Sequence, residues 1–274
     1  MSPEPFRYML VAKLFSYLEK HQDAVRALTD GIGANPRSPH LYRHRGEFRI
    51  VLREFSGAVE DLGRAADLSS GMDDEIDYYQ AELLPEMERL LLGSPPALLQ
   101  APTPINGATL DALRNVYKGS LKSSIWYHLA LARYLKGDFD EAADLFRTTL
   151  EYGIDDDLRV AASDWLYLSL KRAGQDLDAQ RLLDDTNLDI RVNSPVYLQR
   201  LRLYKGEQEP ETAISANDGR RAVATVGYGL GSWYRLNGQT QKAAEAFERV
   251  FATGDASAFG YIAAEVDMAL LDAA

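Results

Sequence analysis

An all-α solenoid of stacked helical hairpins is the fold class this sequence predicts, on three observations. Residues Tyr8, Ala12, Ala24, Leu28 and Gly31 recur 34 positions later as Tyr42, Gly46, Ala58, Leu62 and Ala65. The recurring residues alternate small and large at helical spacing, which lets two antiparallel helices approach closely and fills the seam between neighbouring hairpins. Alternating apolar runs of the strand type are nearly absent; Arg221 to Val226 is β-friendly but too short, and its place in the repeat makes it helical.

The elements follow in order. Residues 1–72 hold two repeat units, in which Arg45 and Arg49 depart from the pattern set by Val11 and Phe15. A third unit carries Trp126, Leu129, Ala130, Ala142 and Phe146 around the turn Lys136 to Glu141. Asp138 reads there as an N-cap, with Glu141 completing a capping box. A fourth has Leu166, Gly174, Ala179 and Leu183; a last has Leu230, Gly231, Tyr234, Gly238, Ala243 and Phe247, with Thr240 as N-cap. Between these two, residues 194–216 read as a degenerate unit. Ser194 is the expected N-cap and Pro195 the first helical residue, leading into one helix and a stunted second. Residues 256–272 read as a capping helix, and residues 123–274 as one C-terminal block.

Residues 73–122 do not fit the 34-residue frame. Ile76, Tyr79, Leu83, Met87 and Leu90 follow helical spacing with a break at Pro85, and a proline-rich loop follows over residues 93–107. Two roles remain open for that loop: a spacer between the repeat blocks, or a lid over a site.

The aromatic, leucine, small, aromatic, alanine and proline order of these 34-residue units resembles the tetratricopeptide repeat. The resemblance implies a right-handed superhelix of about five to six hairpins with a capping helix, whose first helices line a concave face. The segments Ile125-Trp126-Tyr127-His128-Leu129, Asp164-Trp165-Leu166-Tyr167 and Ala258 to Glu265 are similar to a group of bacterial tetratricopeptide-repeat proteins, over most of residues 108–270. The C-terminal hairpin and capping helix are also similar in outline to a bacterial lipoprotein adaptor, but the lipid-bearing cysteine is missing. The paired Lys/Asn carboxylate clamp of the wider family is not reproduced, because the corresponding positions are Met9 and Lys13.

Composition narrows the function. The chain has 274 residues, a formal net charge of −11 and no cysteine. The charge disfavours nucleic acid, and the missing thiols remove disulfides, thiolate metal sites and cysteine nucleophiles. No apolar run approaches the ~18 residues of a membrane span, and no leader pattern opens the chain, so a cytoplasmic protein is expected.

Several motifs call for bland readings. Thr225-Val226-Gly227-Tyr228-Gly229 matches the potassium-channel filter signature without any membrane helix to carry it. Gly227 and Gly229 instead indicate close approach of a neighbouring helix or a ligand. His40 and His44 have a metal-compatible spacing but lack a third ligand, and read as surface or groove histidines. The runs Asp73-Asp74-Glu75 and Asp155-Asp156-Asp157 read as acidic residues before helices.

By repeat position, Lys13, Arg43, Tyr127, Tyr134, Asp164, Lys171, Arg172, Tyr228 and Arg235 face the groove. This basic and aromatic lining in an acidic chain suits an acidic peptide segment or a C-terminal carboxylate. The first reading is therefore a scaffold that binds a protein or peptide, with no cofactor, metal or membrane and with a homodimer left open. The alternative is an enzyme or small-molecule binder with a C-terminal pocket lined by Tyr127, His128, Asp164, Tyr197, Tyr228 and Glu265. His128, Asp164 and Glu265 are its catalytic candidates.

Overall fold

The small-residue and large-residue stripes of the sequence become paired helices in the computed structural model, which describes residues 4–77, 119–214 and 219–272. Two N-terminal hairpins come first: α1 (Glu4–Tyr17) with α2 (His21–Ala34), and α3 (Pro39–Val51) with α4 (Phe55–Ser69). Two more follow: α5 (Leu121–Lys136) with α6 (Phe139–Tyr152), and α7 (Asp156–Arg172) with α8 (Asp176–Asp185). Helix α9 (Val196–Lys205) leads to a single 3-10 turn over Pro210–Thr212, the stunted half of its unit. Helices α10 (Arg220–Leu236) and α11 (Thr240–Phe251) form the last hairpin, and α12 (Phe259–Asp272) packs on both. The chain is thus an all-α helical solenoid.

Helix α4 packs directly on α5, so the stack is continuous across the interruption. The ends of the interruption meet: β1 (Ile76–Asp77) pairs antiparallel with β2 (Gly119–Ser120). The proline-rich loop lies outside the described residues. Asp73 to Glu75 precede this short strand rather than a helix. Even so, Asp74 Oδ1 accepts from Lys122 N at 3.0 Å, in the first turn of α5.

The caps differ from expectation in instructive ways. Asp138 and Glu141 make no capping box, because Arg133 reaches over the turn to both, at 3.1 and 3.0 Å. Helix α11 starts at Thr240 itself, with Gln239 at the cap position. Pro195 occupies the cap position of α9, one residue after Ser194. A reciprocal capping box does form at α5, between Ser120 and Ser123. Asp155 caps α7 by accepting from Leu158 N at 2.8 Å. Arg45 and Arg49 break the repeat pattern because both reach across their hairpin to buried Asp61, at 2.7 and 2.8 Å.

The hairpin turns share one geometry, in which a residue with positive φ sits between the helices. Glycine holds that position at Gly137, Gly174, Gly206 and Gly238, where the absence of a Cβ removes the strain. The two N-terminal hairpins place Glu19 (φ 58°) and Arg53 (φ 63°) there instead. The Arg53 guanidinium extends from this strained turn to Glu265 on α12, at 2.7 and 2.8 Å, and ties the second hairpin to the last helix. Arg53→Gly is expected to relieve about 1 kcal/mol of backbone strain and to lose a half-exposed ion pair of about the same worth. A thermal melt should therefore move little, while the tie between the second hairpin and α12 is lost.

Candidate functional site

Most of the positions expected to face the groove fall into two sets, those gathered under α12 and those that line an open cavity; Asp164 and Lys171 lie in neither. Gly260 lets α12 lie against the backbone of α10, where a Cβ would stand 2.5 Å from the Ala224 carbonyl oxygen. Further along α12, Asp267 is buried at 2% exposure. It accepts from Arg172 Nη1 at 2.7 Å, Arg235 Nη1 at 2.6 Å and the Tyr228 hydroxyl at 3.1 Å. Tyr228 donates its proton there, so Tyr134 Oη, 2.6 Å away, is the donor to Tyr228. Burial pushes the Tyr134 phenol up to about 12. Four residues expected to greet an anionic partner thus converge on a carboxylate of the chain's own last helix.

Asp164 has a different setting again. It and Arg200 are fully buried, with Arg200 Nη2 2.7 Å from Asp164 Oδ2 but misaligned for a hydrogen bond. Arg200 Nε donates to Tyr204 Oη at 3.2 Å, and the guanidinium lies 5.0 Å from the Trp165 ring, 5.2 Å from Tyr197 and 5.4 Å from Tyr228. Burial pushes the Asp164 carboxyl up to about 7, against the pull of Arg200. The glycine motif is explained at the same place. A Cβ on Gly229 would stand 2.6 Å from Arg200 Cγ, one on Gly227 2.8 Å from Val250, and one on Gly231 2.3 Å from Phe247.

What α12 leaves open is a cavity of about 810 Å³ between α1 and α3 on one side and α5, α7, α9 and α10 on the other. Lys13, Arg43, Tyr127, His128 and Tyr197 line it; Tyr134, Asp164, Lys171, Arg172, Tyr228, Arg235 and Glu265 do not. Lys171 pairs with Asp176 at the end of its own hairpin. The first turns of α7, α9, α10 and α12 contribute Leu158, Tyr197, Arg221 and Phe259, so the positive ends of four helix dipoles share one rim. Arg221 holds Asp255 through Nε and Nη2, at 3.0 and 3.1 Å. Exposed Arg220 beside it makes no ion pair or hydrogen bond among the described residues.

The opposite wall is a charged cluster that sequence spacing did not reveal. Glu47 accepts from Lys13 Nζ at 3.2 Å and from Arg43 Nη1 at 2.6 Å; Arg43 Nη2 also meets Asp77 at 2.8 Å. Burial pushes the Glu47 carboxyl up, but Lys13 and Arg43 hold it well below the usual range. His44 is not a surface or groove histidine. It is fully buried beside Arg43, and burial drives its pKa down to about 3. His40 pairs with Glu75 at 2.7 Å. Among the described residues no group of three or more His, Cys, Asp or Glu could hold a metal ion.

His128 Nδ1–H donates to the Ser124 carbonyl of its own helix at 2.6 Å, and its ring stands edge-on to Tyr127 and Phe259. Burial, with Arg43 nearby, lowers its pKa to about 4. The catalytic candidates therefore occupy three separate settings: His128 in the cavity wall, Asp164 under Arg200, and Glu265 on Arg53. The depressed His128 pKa has a testable consequence. Below about pH 6.5 the unfolded chain takes up a proton that folded His128 refuses, so this residue removes stability as the pH falls toward 4. Burial of Asp164 acts in the opposite sense, so the check is a difference. Between pH 7 and pH 5, His128→Gln should lose about 2 kcal/mol less stability in urea melts than the parent protein.

No helix among the described residues is long and apolar enough to cross a membrane. The family model for the tetratricopeptide repeat matches residues 12–83 and 108–157. No curated protein matches the chain. Two solved structures of nearly identical TPR-like repeats, assigned to a putative kinesin light chain of Podosopora anserina, are similar to it; one of the two is a point variant. Both share 16% identity with this chain and cover 92% of it and 96% of their own length, with TM-scores of 0.46 and 0.45. Residues 12–83 and 108–157 thus match the tetratricopeptide repeat, and the described helices pair into hairpins of the kind such repeats form.

Proposed function

We propose that this protein is an interaction scaffold that takes a short segment of a partner protein into the cavity between its N-terminal hairpins and its C-terminal block. Repeats of this class generally serve protein interaction, through the extended concave surface that stacked hairpins create. The observation that carries the reading is the division of that surface. Helix α12 covers Tyr134, Arg172, Tyr228 and Arg235, whereas Lys13, Arg43, Tyr127 and the rim arginines remain at the cavity. Arg220 and Arg221, with four helix N-termini beside them, suit an acidic residue or a chain-terminal carboxylate at the rim. The small-molecule alternative draws on the cavity's volume, which falls inside the range of ligand pockets.

Titration of an acidic heptapeptide pool against the full chain tests the reading. Binding should weaken at least tenfold in Arg220→Ala/Arg221→Ala and survive Lys171→Ala. Equal loss in both variants, or no binding by the parent chain, would contradict it.

A further inference from the structure

We propose that the cavity reads an aromatic side chain bearing a hydrogen-bond donor, a tryptophan or tyrosine on the partner segment, whose N–H or O–H is received by His128 Nε2. This inference rests on the interaction reading above and names the residue that anchors the partner.

His128 presents an unfilled acceptor. His128 is 7% exposed, and its Nδ1 is committed to the Ser124 carbonyl. The ring is neutral with its proton on Nδ1, so Nε2 carries a lone pair. Nε2 has no partner among the described residues, and the residue lines the cavity. An acceptor left open at the wall of a cavity favours a ligand that supplies a donor over the analogue that lacks one.

The surroundings select the donor. Phe48, Tyr127, Tyr197 and Phe259 line the same cavity, and two of them flank the imidazole edge-on, with ring centroids 5.4 and 5.6 Å away. Such walls suit a flat ring that buries a large apolar area while bonding through one polar tip. A serine or threonine brings the donor without the ring, and phenylalanine or leucine brings the apolar bulk without the donor.

The test is a randomised heptapeptide display panned on the full chain, with His128→Phe and His128→Gln in parallel. The parent chain should enrich tryptophan or tyrosine over phenylalanine at one position, at least tenfold. His128→Phe should abolish that preference, and His128→Gln, which keeps an acceptor, should retain it. Should His128→Phe fail to fold, the parent chain alone decides. A selected peptide with its tryptophan replaced by benzothienylalanine, which has the shape without the N–H, should bind at least tenfold more weakly. Peptides enriched with phenylalanine or leucine as readily as tryptophan, or an unchanged preference in His128→Phe, would overturn the anchor and leave the scaffold reading standing. A parent chain that enriches no peptide would overturn both.

Discussion

Asp267→Ala is expected to destabilise the protein by about 3 kcal/mol, because it leaves two guanidiniums and a phenol facing a buried gap. Arg172 and Arg235 keep only 12% and 24% of their side-chain surface exposed, so water replaces the lost carboxylate incompletely. Asp267→Asn keeps an acceptor oxygen and should fall between alanine and the parent. Urea midpoints measure all three. The loss should be accompanied by earlier proteolysis within α12, since Asp267 ties that helix to α7 and α10 at once. A midpoint for Asp267→Ala equal to that of the parent would mean that α12 is held by its apolar face alone.

Arg200→Ala should cost about as much, roughly 3–5 kcal/mol, for a different reason. Both partners of the Arg200–Asp164 pair are wholly buried, so removing one leaves a carboxyl with no counter-charge. It also removes the flat group that lies among Trp165, Tyr197 and Tyr228. Protonation of Asp164 limits the loss, since burial already pushes that carboxyl up to about 7. The control is Arg200→Met with Asp164→Leu, which replaces both charges by apolar groups of similar size and should recover most of the stability. A double variant as unstable as Arg200→Ala would place the penalty in packing rather than in the orphaned charge.

These two residues also mark where sequence reading reaches its limit. The hairpins were legible because their signal is local. Gly231 must be small under Phe247, Ala142 and Phe146 lie one helical turn apart, and each pattern falls inside one unit. The helical register named Tyr134, Arg172, Tyr228 and Arg235 together, and these four lie together under α12; it also named Asp164, which lies under Arg200, and Lys171, which pairs with Asp176. What faces them was not legible. Asp267 lies 95 residues from Arg172 in a helix whose sequence reads as a cap, and nothing local marks its carboxylate as an inward group. Arg200 sits in the degenerate unit, where the repeat pattern is too weak to assign a face. The only trace of it was the pair Gly227 and Gly229, whose missing side chains make room for Val250 and for Arg200. Arg133 likewise overrode a good capping-box sequence, because an ion pair across the turn engages both carboxylates.

The central feature of the fold is that α12 meets the second hairpin as well as α7 and α10, and so leaves a bounded cavity. The Arg53–Glu265 contact is its most direct expression, and the chain has no cysteine to confuse a test. Arg53→Cys/Glu265→Cys, treated with a short bifunctional maleimide at high dilution, should give a monomer cross-linked between α12 and the turn after α3, in high yield and without any ligand. Peptide mapping that finds the two positions unlinked, or linked only between separate molecules, would contradict the account.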